Sequence, residues 1–239
     1  MEVINYLLGY KDLKIYQDPE MFCFSLDSVL LPNFITLRTS IKNILDIGCG
    51  NAPMPLILST KTNARIIGVE IQKKAYQLAK KSIELNKKEK QINIINGDIN
   101  DLYKEWESDC FDVIICNPPF FKVHEGSRVN DSKNKTIARH EFDLDLEKII
   151  LISKKLLKNK GTLGIVHRPE RLVDILELMR RNNIEPKKIQ FVYPKINADA
   201  NIVLVEGKKN ANPGLKVLSS LISHEKNGEY TKSIKNFFE

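Results

Sequence analysis

Short apolar runs alternate with longer amphipathic stretches along most of the chain. Asn43-Ile44-Leu45-Asp46-Ile47 reads as a buried strand, as do Ile66-Ile67-Gly68-Val69-Glu70, Ile92-Asn93-Ile94-Ile95, Asp112-Val113-Ile114-Ile115-Cys116 and Thr162-Leu163-Gly164-Ile165-Val166. Between them the pattern predicts helices over 53–60, 72–88 and 144–158. In the second of these, Ala75, Ala79 and Ile83 recur at helical spacing beside Lys-rich, solvated faces. Strand–helix alternation of this length implies a parallel sheet covered on both faces. Pro169 can open a further helix that ends near Asn182-Asn183. The runs Lys188–Tyr193 and Asn201–Glu206 are joined by a short Pro-containing loop, so they read as an antiparallel pair closing one edge. The expected fold is therefore α/β: a seven-stranded, mostly parallel sheet with an antiparallel C-terminal hairpin and helices on both faces.

Ahead of this alternation, Leu13-Lys14-Ile15-Tyr16 and Met21-Phe22-Cys23-Phe24 flank Gln17-Asp18-Pro19-Glu20, which reads as the turn of a hairpin. The chain divides into an N-terminal extension over 1–40, a main domain over 41–207 and a basic tail over 208–239. The tail has a weak amphipathic pattern at Leu215, Leu218 and Leu221-Ile222. A length of 239 residues suits one domain with a small appendage, and 42% apolar residues can bury a large core. No run of about 18 apolar residues occurs, so no membrane span is expected. Met1-Glu2-Val3-Ile4 lacks the basic region and apolar run of a secretory signal, and a cytoplasmic protein is expected.

Cys23, Cys49, Cys110 and Cys116 form no C-x-x-C pair, and no histidine stands at zinc spacing from two of them. No metal site is expected, and the thiols read as small core residues. The net charge of +7 suits a polyanionic partner. The 29 Lys against 8 Arg, with abundant Asn and Ile, also match the bias of an AT-rich coding sequence.

The first strand of the alternation runs into Asp46-Ile47-Gly48-Cys49-Gly50-Asn51-Ala52. Glycines there let a ligand approach the backbone at the C-terminal edge of the sheet. Glu70 ends the second strand about 20 residues on, where an acid hydrogen-bonds ribose hydroxyls in such folds. Asp98, after the third strand, is placed to accept from the amino group of an adenine. The loop does not match G-x-G-x-x-G, the pyrophosphate fingerprint. It opens on Asp46, which would repel a diphosphate and welcome an ammonium group. S-adenosylmethionine carries an ammonium, a ribose and an adenine but no phosphate. It is the expected cofactor, with S-adenosylhomocysteine as product, held by Asp46, Gly48, Gly50, Glu70, Asp98 and Asn117. The loop resembles the nucleotide loop of class I (Rossmann-like) methyltransferases, except that Ala52 stands where theirs often carries a third glycine.

The fourth strand ends in Asn117-Pro118-Pro119-Phe120, the expected catalytic set. Both prolines fix φ and neither offers an N–H. The Asn117 side-chain oxygen and the Pro118 carbonyl are two acceptors that match the two hydrogens of an exocyclic amino group. Adenine N6 is a poor nucleophile because its lone pair is delocalised into the ring. Drawing both N–H groups out of plane would localise that lone pair and stabilise the charge that develops. Phe120 offers a flat face on which the base can stack.

This arrangement resembles amino-methyltransferases with an (Asp/Asn/Ser)-Pro-Pro-(Tyr/Phe) motif, over roughly residues 43–207. The chain as a whole is similar to the bacterial tRNA1(Val) adenine-37 N6-methyltransferases, through Phe24-Ser25-Leu26-Asp27-Ser28-Val29-Leu30-Leu31, Asn117-Pro118-Pro119-Phe120-Phe121 and Ala138-Arg139-His140-Glu141. The resemblance implies a tRNA substrate, methylated on the adenine just 3′ of the anticodon; no membrane partner is expected from the apolar pattern, and no obligate protein partner is implied. Lys122, Arg128, Lys133, Lys135, Arg139 and His140, in the stretch after the motif, suit the phosphates flanking a splayed base. Two variants of the same chemistry stay open: N5 of a protein glutamine, as in release-factor methyltransferases, and N2 of guanine in ribosomal RNA. The former usually follow Asn-Pro-Pro with Tyr and carry a larger helical N-terminal domain. A non-catalytic nucleotide-binding module would leave Asn117-Pro118-Pro119 unexplained.

Overall fold

The computed structural model describes residues 1–21, 24–118 and 145–237. A two-stranded hairpin, β1 (Val3–Leu7) and β2 (Tyr10–Gln17), leads into α1 (Asp27–Phe34). The alternation then runs β3 (Asn43–Ile47), α2 (Pro53–Leu58), β4 (Arg65–Glu70), α3 (Lys73–Leu85), β5 (Ile92–Asn96), α4 (Ile99–Glu105) and β6 (Phe111–Cys116). After the undescribed 119–144 it resumes with α5 (Leu146–Leu156), β7 (Leu157–His167), α6 (Leu172–Arg181), β8 (Ile184–Tyr193) and β9 (Ile202–Lys209).

The spatial order β8-β9-β7-β6-β3-β4-β5 is the seven-stranded sheet expected from the sequence. Strands β3 to β7 run parallel, and β9 enters antiparallel between β7 and β8. Alternation along each strand partitions the core. Ile44, Ile66, Val113 and Ile115 face α1, α2 and the hairpin, whereas Leu45, Ile114, Cys116 and Leu163 face the layer of α5 and α6. Each central strand is buried on both faces, which is why it reads as a continuous apolar run.

Two features differ from the sequence expectation. Leu13–Tyr16 pairs with β1, and the turn lies at Leu8-Gly9, where Gly9 takes φ +78°. A two-residue loop with a left-handed glycine matches strand twist better than Asp18-Pro19 could. Asp18 instead stops β2: its carboxylate accepts from the Glu20 amide at 3.0 Å and pairs with Lys74 of α3 at 2.5 Å. The tail also contributes to the sheet. β10 (Lys216–Val217) and β11 (Leu221–Ile222) both lie parallel to β8, and Ile234 of α7 (Lys232–Lys235) is fully buried.

Helix α1 is fixed at its C-terminal end. Glu206 of β9, almost fully buried, accepts from the Thr36 amide at 2.7 Å and pairs with Lys188 at 3.0 Å. Lys188 also donates to the Phe34 carbonyl at 2.6 Å. Gly164 makes room for the approach of α1 to β7, since a Cβ there would lie 2.6 Å from Ile35 Cδ1.

Candidate active site

The chain order reverses at β3, with β4 and β5 on one side and β6 and β7 on the other. In open α/β sheets the crevice at such a reversal, outside the carboxyl ends of the strands, is the place for a ligand. Ile47 is level with Val69 on β4 and with Cys116 on β6. The glycine loop, Glu70 and Asn117 therefore leave three adjacent strands at one height. Alternation turns Asp46 and Glu70 toward the α1–α2 face, the side shared by Ile44 and Ile66.

The loop is a tight, left-handed crossing. Gly48, Gly50 and Ala52 have φ of +72°, +55° and +70°. Ala52 is thus a non-glycine residue in a conformation that disfavours a Cβ, at the position where related loops often carry glycine. The amides of Gly48 and Cys49 donate to the Val69 carbonyl at 2.9 and 3.0 Å. Gly68 is needed below: a Cβ there would sit 2.7 Å from Cys49 Sγ. Asn51 donates to the Tyr16 carbonyl at 2.8 Å and ties the loop to the hairpin. Above Gly48 and Gly50 there is open space among the described residues, because a Cβ built on either meets none of their atoms within 4 Å beyond its chain neighbours.

Three acids line this edge. Glu70 is buried, and its two oxygens accept from the amides of Gly50 and Gln72, each at 2.8 Å. Burial nevertheless holds its carboxyl above the usual range. A carboxylate has about four lone-pair sites, so acceptor capacity is left for a ligand hydroxyl. Asp98 caps α4, its Oδ1 accepting from the Asn100 amide at 2.8 Å and from the Asn100 side chain at 2.9 Å. Asp46 is fully buried, and neither of its oxygens has a hydrogen-bond partner among the described residues. Burial first, and the charge of Glu70 second, push its carboxyl well above the usual range. The Cys49 and Cys116 thiols are likewise pushed up by burial, and next by Asp46.

An unpartnered buried carboxyl is a destabilising feature that a bound cation would offset. With open space over the glycines and acceptor capacity on Glu70, these residues fit a ligand that brings an ammonium and hydroxyls. They do not fit one that brings phosphates.

Asn117 stands half-buried just beyond β6, and its amide nitrogen donates to Ser28 Oγ of α1 at 3.3 Å. Its side-chain oxygen receives no hydrogen bond among the described residues. Pro118 is buried. Thus Asp46, Gly48, Gly50, Glu70, Asp98 and Asn117 share one edge of the sheet. Pro119, Phe120, Lys122, Arg128, Lys133, Lys135, Arg139 and His140 lie outside the described residues. Sequence reasoning gave no role to Ser28, Asn51 or Gln72. Ser28 lies within the Phe24–Leu31 segment already noted for its resemblance, but nothing in that string reveals a contact with a residue 89 positions away.

The fold and the site define a methyltransferase: residues 12–182 match the methyltransferase small domain family, and the chain belongs to it. Curated relatives cover most of the chain. A tRNA1(Val) (adenine(37)-N6)-methyltransferase of Phocaeicola vulgatus is 25% identical over 236 residues, 98% of either chain. One of Cytophaga hutchinsonii is 27% identical over 189 residues, 79% of this chain and 78% of that one. Among solved structures, a predicted O-methyltransferase from Agrobacterium tumefaciens superposes with a TM-score of 0.70 at 19% identity, over 89% of this chain and 95% of that one. That likeness establishes the class I methyltransferase fold.

Proposed function

We propose that this protein transfers a methyl group from S-adenosylmethionine to N6 of an adenine in tRNA, at adenine 37 beside the anticodon of tRNA1(Val). The observation that carries this reading is the placement of Asn117 and the glycine loop on adjacent strands, with Ile47 level with Cys116. The substrate class rests on the relatives of Phocaeicola vulgatus and Cytophaga hutchinsonii, both tRNA1(Val) (adenine(37)-N6)-methyltransferases.

When bound, the cofactor supplies an electrophilic methyl. The chain's own residues do the rest. Asp46 and Glu70 hold the cation and the ribose, and the open backbone at Gly48 and Gly50 accepts the rest of the ligand. Asp98 has one carboxylate oxygen in its helix cap and one that accepts nothing among the described residues, which suits an amino group of the cofactor's adenine. The Asn117 oxygen and the Pro118 carbonyl accept the two N–H groups of the target amine and aim its lone pair at the methyl. No separate base is required, because the amine proton becomes acidic as the methyl arrives and is released to solvent. Phe120 stacks on the base, and Lys122, Arg128, Lys133, Lys135, Arg139 and His140 contact the phosphates around it. A tRNA substrate supports a cytoplasmic site of action.

Titration with S-adenosylmethionine, followed by transfer of a labelled methyl to separate pools of tRNA, ribosomal RNA and protein, tests the reading. Label confined to tRNA is the expected result. Label in protein or ribosomal RNA alone overturns the substrate class, and no cofactor binding overturns the enzymatic reading.

A further inference from the structure

An amide has one donor end and one acceptor end, and the reading above needs the acceptor of Asn117 turned to the substrate. The backbone places Asn117 but does not decide which end of its side chain points outward. A neighbouring hydroxyl can serve either end, and in this structure it holds the nitrogen. The group in contact is the hydroxyl oxygen of Ser28, which accepts from the amide nitrogen.

We propose that Ser28 is a positioning residue for methyl transfer: by holding the Asn117 nitrogen it presents the Asn117 oxygen to the target amine. The inference rests on the role given to Asn117 above. Three observations on the anchoring of Ser28 support it. Ser28 is 6% exposed and its amide donates to the Ser25 carbonyl at 3.1 Å, so its backbone is fixed. The same turn is held by Ser25 Oγ donating to the Asp27 carboxylate at 2.9 Å. The far end of α1 is clamped by the Glu206–Lys188 pair and seated on Gly164. Ser28 therefore sits on a rigid element that crosses β7, and its oxygen is a fixed point against which the amide is set. Deleting that oxygen leaves a half-buried N–H group unpaired and frees the amide to rotate, and small misplacements of a reacting contact lower rates steeply.

The test compares Ser28→Ala, Ser28→Thr and Ser28→Cys in the full chain, each checked for thermal unfolding and for cofactor affinity. Ser28→Ala is expected to lower kcat by about 10- to 100-fold with cofactor affinity unchanged. Ser28→Thr, which keeps the oxygen, restores most of the loss. Ser28→Cys, near in shape but a weak acceptor, resembles Ala, and it carries the test if the Ala variant does not fold. Nitrogen-15 spectra assign the Asn117 side-chain amide by its disappearance in Asn117→Ala. Its signal should move in Ser28→Ala and return in Ser28→Thr, whatever the substrate proves to be. Full kcat in folded Ser28→Ala, or a Thr variant as slow as Ala, overturns the inference. Full activity of Asn117→Ala overturns instead the role of Asn117, and the amide spectrum separates the two failures.

Discussion

Glu70 and Gly50 are joined by a 2.8 Å hydrogen bond in which a buried carboxylate accepts from the amide of a glycine at φ +55°. This bond sets the shape of the cofactor loop before any ligand arrives, and the same carboxylate braces the start of α3 through Gln72. Glu70 is thus both a contact and part of the frame that holds the loop.

Glu70→Ala should weaken S-adenosylmethionine binding by about 1–3 kcal/mol, the range for hydrogen bonds to a charged group. Because the loop amide loses its partner as well, thermal stability should fall too. Glu70→Gln keeps one acceptor oxygen and should recover part of both. Calorimetry together with thermal melting reads the two effects. Unchanged affinity in folded Glu70→Ala would remove Glu70 from the site.

Asn117→Ala should lower cofactor affinity far less than it lowers methyl transfer. Its oxygen acts on the nucleophile, so the loss belongs in kcat rather than in KM. Single-turnover rates with saturating cofactor and RNA check this. Near-normal turnover would contradict the role given to the amide.

Asp46 should link cofactor binding to proton release. The free protein retains a proton there at pH values where an exposed aspartate has lost it, because burial and Glu70 raise the carboxyl. A cation beside it favours the ionised form, so affinity should rise with pH until Asp46 is ionised without ligand. Calorimetry in buffers of different ionisation enthalpy counts the protons. Asp46→Asn should abolish the release, and a wild-type affinity independent of pH would contradict it.

His167 has the opposite sign in stability. Burial lowers it from 6.5 to about 4, so the unfolded chain takes up a proton at a higher pH than the native one. The stability it contributes is present above pH 6.5 and is lost as pH falls toward 4. The raised Asp46 acts the other way, stabilising less as pH climbs above the ordinary carboxylate range. Urea unfolding across pH 4–7 of wild type, His167→Gln and Asp46→Asn separates the two slopes. An unchanged slope in His167→Gln would show that its native and unfolded affinities for protons are alike.

The strands and long helices were legible because their signal is local. Ile44 to Ile47 is apolar on both faces except at Asp46, and Ala75, Ala79 and Ile83 mark a helix by spacing alone. Helix α4 leaves no such mark in the sequence, since Ile99 is its one buried residue and its acids and lysine carry no stripe. The strands of the tail are not legible in the sequence, because Lys216–Val217 and Leu221–Ile222 are two residues each and exist only through pairing with β8. At the site, the glycine loop and the three acids could be named from spacing. The Asn117–Ser28 contact could not, because it is made by packing α1 on the sheet.

The central claim is tested most directly by mass spectrometry of nucleosides from tRNA(Val) incubated with the enzyme and S-adenosylmethionine. The account predicts N6-methyladenosine, mapped to the anticodon loop on the 3′ side of the anticodon and absent with Asn117→Ala. Methyl groups on guanine N2, or an unmodified tRNA beside a methylated protein glutamine, would contradict it.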